Sequence, residues 1–420
     1  MPFIYDESGQ LCADGFPAND LAERYGTPLY VYSADGFLAH LSAFQKAVAP
    51  VNGKVHFAVK ANSNLAILSL MAAQGAGADI VSAGEMQRAL AAGIDAKDIV
   101  FSGVGKTDDE IRMALARNIG QINAESQAEL KHIEAIAAEW GLIAPVAIRV
   151  NPDIDAKSHE KISTGQKSTK FGIPIDGGEA EDIYRYIHES DHLIAKGLAV
   201  HIGSQLTDLA PFKTAYQTLI ALAYDFRAKG YEVPILDLGG GLGIDYHGEE
   251  APDFAAYGAL VTELFKGLDY QLGFEPGRSI AADNGILLSS ALYTKPSDEK
   301  DFIIVDAAMN DLIRPTLYEA YHRIEPVQQS NRTSRLSDIV GPVCETGDYL
   351  ARGRNFPSVE SGEVIAIFNA GAYGSVMASN YNTRPAAAEV LIHKGEVHLI
   401  KARKTIEQIL DDEYNPFATD

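Results

Sequence analysis

Only two cysteines, Cys12 and Cys344, occur in 420 residues. So sparse a set excludes a disulfide framework and points to a reducing, cytoplasmic setting. No apolar run reaches the roughly 18 residues that a membrane-spanning helix requires. The opening MPFIYDESGQ has neither a basic stretch nor an apolar one behind it, so a secretory signal is not expected. Basic residues are outnumbered, 35 Lys plus Arg against 57 Asp plus Glu, giving a formal net charge of −22. That balance disfavours nucleic acid and anionic membrane as partners and favours solubility. An anionic small molecule would need a local basic pocket working against the overall field. Internal repeats and low-complexity tracts are missing too, and no metal site is expected.

What is present is ordinary globular composition, 46% hydrophobic and 22% charged, enough for a sizeable core. The length favours two domains. Through the first two thirds, short apolar runs alternate with Ala- and Leu-rich stretches of helical period. The runs are Val55–Ala61, Gly77–Ser82, Ile99–Gly103, Gln121–Ala124, Val146–Asn151, Gly197–Ile202, Ile235–Leu238 and Tyr270–Glu275. Helices are predicted at Asn64–Gln74, Gly84–Ala92, Thr107–Arg117, Ser126–Trp140, Glu179–Glu189, Pro211–Lys229 and Asp253–Lys266, with a further one at Asp35–Val48. Strands apolar on both faces and alternating with helices read as a parallel sheet. Eight of them predict a (β/α)8 TIM barrel over 31–278, with a doubly wound sheet as the alternative.

The rhythm changes after Arg278. Runs such as Phe302–Asp306 and Val364–Phe368, and the hairpin pattern Ala388–Lys401 turning at Lys394-Gly395, predict an antiparallel β-sandwich or barrel. Thr405–Leu410 reads as a closing helix. Residues 1–30 lack an evident helical period and are expected to add a strand, giving a second domain of 1–30 plus 279–420.

Chemistry in a TIM barrel sits at the carboxyl ends of its strands. Those ends carry Lys60, Arg149 and Asn151, His201 with Ser204, Gly239–Gly241, and Glu275 to Arg278. Lys60, in FAVKAN, falls in an apolar run expected to be buried on both sides. A solvated lysine is the ordinary expectation, but a buried one makes a good Schiff-base amine. GGGLG at Gly239–Gly243 lets backbone N–H groups approach an anion, although it has neither a P-loop Lys-Ser/Thr nor a full GxGxxG. Glu275 could simply cap a turn before Pro276, or it could hold a pyridine nitrogen protonated. His201 suits stacking on a planar ring as well as a satisfied core position. In the second domain, Cys344 and Glu345 share a turn, GPVCETGD, where an inert buried thiol is the bland alternative. Tyr373 lies between glycines in AGAYGSVM, and Arg314 and Tyr318 are spaced i, i+4 in RPTLYEAYH.

Nine strings in order resemble the fold-type III pyridoxal-phosphate-dependent decarboxylases across nearly the whole chain. They are FAVKAN, INAES, STGQKSTKFGI, HIGSQ, DLGGGLG, EPGR, RPTLYEAYH, GPVCETGD and AYG. The resemblance implies that Lys60 carries pyridoxal 5'-phosphate and His201 stacks on its ring. It implies that Ser204, Gly240, Gly241, Gly277 and Arg278 belong to the cofactor site, with Gly241 and the EPGR segment holding the phosphate, that Glu275 pairs with the ring nitrogen, and that Tyr373 lies at the cofactor. It also implies a homodimer with shared active sites, in which Cys344 and Glu345 come from the opposite subunit. Two small departures are Thr346, where Ser is common after Cys-Glu, and Thr169, where Ser is common before Lys170.

An amino acid is then the substrate, and its distal end decides which one. Arg278 and Arg314 could clamp a distal carboxylate and Glu345 could take a distal ammonium, with Tyr318 and Tyr373 beside them. That set suits meso-2,6-diaminopimelate, giving L-lysine and carbon dioxide, with Lys60, Cys344 and His201 as the catalytic residues. Ornithine or lysine would not need two arginines. The alternatives are a sister decarboxylase acting on arginine, ornithine or carboxynorspermidine, a racemase of the same fold type, which Glu275 argues against, or a non-catalytic cofactor-binding regulator.

Overall fold

A computed structural model describes residues 2–155, 159–162, 164–165, 169–248 and 251–417. Part of the predicted 153–171 loop therefore lies outside the described residues. The chain divides into two compact units, 37–280 and 1–36 plus 281–420. The division falls at Gly36 and Ile280 rather than at 30 and 278, because Leu29–Ser33 pairs within the second unit's sheet.

The first unit is a closed barrel of eight parallel strands. They are β1 (Gly53–Ala58), β2 (Gly77–Ile80), β3 (Ile99–Phe101), β4 (Gln121–Ala124), β5 (Ala144–Asn151), β6 (Leu193–Val200), β7 (Ile235–Asp237) and β8 (Gln271–Phe274). Each pairs with the next, and β8 closes on β1 through Leu272 to Gly53 and Phe274 to Val55. Their apolar positions are buried on both faces, as Gly77–Ile80 and Gln121–Ala124 illustrate. The intervening helices begin where the sequence offers caps. Asn64, Ser82, Ser126 and Asp253 each accept a backbone N–H from the first turn, and Thr107 with Glu110 forms a capping box.

The second unit carries a nine-stranded sheet and a three-stranded one. The sheet is mostly antiparallel, with two exceptions that local pattern did not show. Leu29–Ser33 runs parallel to Ala388–His393, and Asp301–Val305 runs parallel to Ser334–Val340. The hairpin Ala388–Lys401 forms as expected, with Lys394 and Gly395 both at positive φ, the geometry of a tight turn matched to strand twist. The closing helix spans Ile406–Leu410, capped by Thr405 and Gln408. One expectation fails near the amino terminus, where Ala18–Tyr25 is a helix. Ala18, Leu21 and Ala22 do bury at helical spacing, but Pro17 and Gly26 confine the element to eight residues, too short for its period to stand out.

The barrel wall has one point of close approach. Strand β6 bulges between Ala195 and Gly197, and a Cβ at Gly197, where φ is +140°, would overlap the Ile235 carbonyl on β7. Gly197→Ala is therefore expected to cost roughly 3 kcal/mol or more, from backbone strain plus overlap. Urea denaturation checks this; a loss under about 1 kcal/mol would show that the bulge relaxes freely.

Candidate active site

At the carboxyl ends of the barrel strands a cavity of about 350 Å³ opens, with Lys60, Asn123, Arg149, His201, Asp237 and Glu275 among its lining. Lys60 does not sit inside its strand, as expected from FAVKAN. Strand β1 ends at Ala58, and Val59–Ala61 is a single 3-10 turn that presents the lysine with about a third of its side chain exposed. Its ammonium is ion-paired with Asp79, which is fully buried at the penultimate position of β2. The turn is braced by the EPGR segment. Ala58 donates its N–H to the Pro276 carbonyl at 3.1 Å, and a Cβ on Gly277 would crowd Ala58 and Ala61, both at 2.9 Å.

His201 follows β6, and its Nδ1 accepts the Gly240 N–H at 3.2 Å. An imidazole nitrogen that accepts carries no proton, so any hydrogen on the neutral ring lies on Nε2. Burial, then the nearby charges of Arg149 and Lys60, hold its pKa well below the usual histidine value. The ring is therefore uncharged at neutral pH. The glycine run threads a space with no room for side chains. A Cβ at Gly239 would overlap the Val200 carbonyl, one at Gly240 that of Glu275, and one at Gly241 that of Gly203. Beside this loop Arg278, itself buried, donates to Ser204 Oγ at 3.0 Å and to the Tyr246 hydroxyl at 2.9 Å.

Glu275 is buried, and its Oε1 has no hydrogen-bond partner among the described residues. Burial first, then the charges of Asp237 and Asp79, raise its pKa well above the ordinary carboxyl value, against the opposing pull of Lys60 and Arg149. Arg149 meets Glu125 through Nη1 at 3.1 and 3.3 Å, and its guanidinium lies over the Phe171 ring at 4.9 Å. Glu125 also accepts the N–H groups of Gly103 at 3.2 Å and Gly172 at 3.1 Å.

Of the barrel residues singled out in the sequence, Lys60, Arg149, His201 and Glu275 share the cavity lining. Gly240 reaches it through His201, while Ser204, Gly241, Gly277 and Arg278 occupy the loops around it. Asp79 and Asp237 went unread as functional; each is one acid within an apolar strand, in GADIV and ILDL, and that mismatch was the available signal.

The remaining predicted residues lie in the second unit. Arg314–Tyr318 is helical, and Arg314 is buried there rather than exposed on a surface turn. Its Nη1 donates to His322 Nε2 at 2.8 Å, while His322 Nδ1 donates to the Phe368 carbonyl at 2.8 Å. The carbonyl can only accept, which fixes the tautomer and leaves Nε2 free to receive the arginine. Cys344 is an exposed free thiol, not a buried one. Glu345 is exposed beside it and accepts from the Tyr381 hydroxyl at 3.2 Å. Asp348 anchors their turn, accepting the N–H groups of Met309 at 2.7 Å and Val343 at 2.6 Å. Tyr373 is half-buried with φ of +56°, a conformation that costs a non-glycine residue about 1–3 kcal/mol and is typical of functional positions.

Pyridoxal phosphate combines an aldehyde, a pyridine nitrogen and a phosphate, and the barrel offers a match for each. Lys60 supplies an amine, Glu275 an orphaned buried oxygen, and the glycine loop a cradle that any Cβ would fill.

Residues 35–282 match the family described as pyridoxal-dependent decarboxylase, pyridoxal binding domain. A protein of Pseudomonas aeruginosa named diaminopimelate decarboxylase is 49% identical over 407 residues, covering 97% of each chain. Among solved structures, diaminopimelate decarboxylase from Helicobacter pylori complexed with L-lysine is 42% identical with a TM-score of 0.90, covering 93% of this chain and 98% of that one. The enzyme from M. jannaschii in co-complex with L-lysine is 37% identical with a TM-score of 0.94, covering 99% and 98%.

The Arg149–Glu125 pair is nearly solvent-free, with side-chain exposures of 10% and 2%. Removing one partner strands a buried charge, so Arg149→Met is expected to cost roughly 3–5 kcal/mol in urea denaturation. The double variant Arg149→Met, Glu125→Gln should recover part of that loss. Equal loss in both would mean that the arginine matters only through its packing on Phe171.

Proposed function

The chain belongs to the pyridoxal-dependent decarboxylase family, and from that membership we propose its reaction as the decarboxylation of meso-2,6-diaminopimelate to L-lysine and carbon dioxide, the closing step of lysine biosynthesis. The observation that carries this is 49% identity to a diaminopimelate decarboxylase over 97% of both chains. The enzyme is a carboxy-lyase with pyridoxal phosphate as its cofactor.

When bound, pyridoxal phosphate supplies the electron sink for the pair left at the α-carbon as the bond to carbon dioxide breaks. The chain's own residues do the holding and the proton handling. Lys60 Nζ, presented on its turn against Asp79, is the amine that tethers the aldehyde carbon. Neutral His201 would lie against the ring without adding a positive charge that would compete for the sink. Glu275 Oε1 would face the ring nitrogen, where its carboxyl, raised in pKa by burial, would hold a proton. The phosphate would lie at Gly241, with Gly277, Ser204 and Arg278 beside it, since the Gly239 and Gly240 N–H groups are engaged by Asp237 and His201. Cys344 Sγ or Lys60 Nζ returns a proton to the α-carbon.

Substrate choice would rest on Arg278 and Arg314 for the distal carboxylate and on Glu345 for the distal ammonium, with Tyr318 and Tyr373 as further substrate residues. Hydrogen bonds from Arg278 to Ser204 and Tyr246, and from Arg314 to His322, orient each guanidinium. The active enzyme is a homodimer in which Cys344 and Glu345 complete the opposite subunit's site; their exposure on one turn supports this. A cytoplasmic location fits two free cysteines, and no described helix is long and apolar enough to cross a membrane.

Incubating the protein and pyridoxal phosphate separately with meso-diaminopimelate, arginine, ornithine, lysine and carboxynorspermidine tests the reading. Lysine and carbon dioxide from diaminopimelate alone are expected. Preferential turnover of another of the five would overturn the roles given to Arg278 and Arg314.

A further inference from the structure

The barrel has a second cavity, of about 460 Å³, at the amino ends of its strands, opposite the one that holds Lys60. Three lysines line it: Lys54 on β1, Lys97 in the turn before β3, and Lys196 on β6. Lys54 is ion-paired with Asp98, while Lys97 and Lys196 have no ion-pair partner among the described residues. Lys196 owes its place to a local distortion. Ala195 pairs with Val146 and Gly197 with Ala147, so Lys196 is the extra residue of the β6 bulge. A bulge re-aims the side chain it inserts and is common beside functional sites. This one requires Gly197 at φ +140°, pressed against the Ile235 carbonyl where no Cβ fits. The amino end of a barrel ordinarily serves stability. A strained bulge that brings a half-buried, unpaired lysine to a cavity does not.

A second observation at the same place is His56 on β1. It lines the cavity with 9% of its surface exposed, and its Nδ1 has no hydrogen-bond partner among the described residues. Gly77 gives the ring its space, since a Cβ there would lie 2.5 Å from His56 Cδ2. Burial and then the Lys54 charge hold its pKa at about 4, so the ring is neutral and keeps one N–H to donate. The lining also contains two acids, both engaged. Asp98 pairs with Lys54, and Asp237 accepts the Gly239 N–H at 3.0 Å and an N–H of the Gln121 amide at 3.3 Å. Lysines exceed acids here, within a chain whose net charge is −22.

We propose that this basal cavity is a second anion site, which takes a phosphate group on Lys97 and Lys196 with His56 as a neutral partner. All three cations of the lining are lysines, compact charges that suit a tetrahedral oxyanion, whereas a planar carboxylate is matched best by an arginine fork. The volume falls in the range of small-molecule sites and exceeds what a bare phosphate ion fills. A phosphate monoester of a small metabolite is therefore the ligand class, with inorganic phosphate as the minimal member. Asp237 lines both cavities, so the two sites share a wall.

The test is calorimetric titration of the holoenzyme, its cofactor site already filled, with glycerol 3-phosphate, inorganic phosphate and acetate at constant ionic strength. Both phosphates should bind saturably and acetate should not. Tighter binding of glycerol 3-phosphate assigns the site to a monoester, and equal binding assigns it to the free ion. Lys97→Met and Lys196→Met should each weaken binding by roughly tenfold or more. Lys213→Met, which removes a lysine paired with Glu263 on an outer helix, should leave it unchanged. No saturable binding, equal binding of acetate, or unchanged binding in either cavity variant would overturn the proposal. Should a variant fail to fold, acetylation of wild-type holoenzyme mapped by mass spectrometry makes the same distinction. Glycerol 3-phosphate should protect Lys97 and Lys196 but not Lys213, and absence of that protection would overturn the proposal. No substrate is turned over, so the outcome is independent of whether diaminopimelate is the substrate.

Discussion

The Lys60 ammonium is held against the Asp79 carboxylate at the mouth of a barrel that also buries Asp237 and Glu275. Three acids so close together repel, and each would be costly in an apolar wall on its own. What makes the arrangement tenable is the pair of cations beside them, Lys60 and Arg149, and a Glu275 pushed toward its neutral form by burial. Much of the nearby architecture serves that balance. Arg149 is fixed by Glu125, Asp237 by Gln121 and the Gly239 amide, and Lys60 by a turn braced on Pro276 and Gly277.

The barrel form is what allows the balance to be built at one point. Parallel strands bring their carboxyl ends to one face, so residues from 60 to 275 in sequence meet in a cavity of about 350 Å³. The same closure leaves polar side chains inside the barrel, where Gln121, Asn123 and Ser102 satisfy one another and hand one N–H to Asp237. A buried polar network of this kind is stable only when its members are paired.

The barrel was legible because its signals are local. Each apolar run bounded by Gly, Asn or Ser became a strand, and Asn64, Gly84, Thr107 and Ser126 marked helix starts to within a residue or two. Lys60, His201 and Glu275 were legible because a lysine, a histidine and a glutamate at strand ends contrast with their apolar neighbours. Asp79 and Asp237 were not read, although an acid in an apolar strand is a mismatch; what they face across the barrel is not recorded locally. The parallel pairing of Leu29–Ser33 with Ala388–His393 joins segments hundreds of residues apart, which no periodicity records. The exposure of Cys344 was hidden for a related reason: the turn that displays it is set by Asp348 accepting from Met309, on another segment.

The central proposal is that Lys60 is the lysine that holds the cofactor. Loading the protein with pyridoxal phosphate, reducing the linkage with borohydride and mapping the labelled peptide by mass spectrometry tests it directly. The account predicts a single modified peptide, with the pyridoxyl group on Lys60. Principal labelling of any other lysine, Lys106 or Lys170 for example, would contradict it.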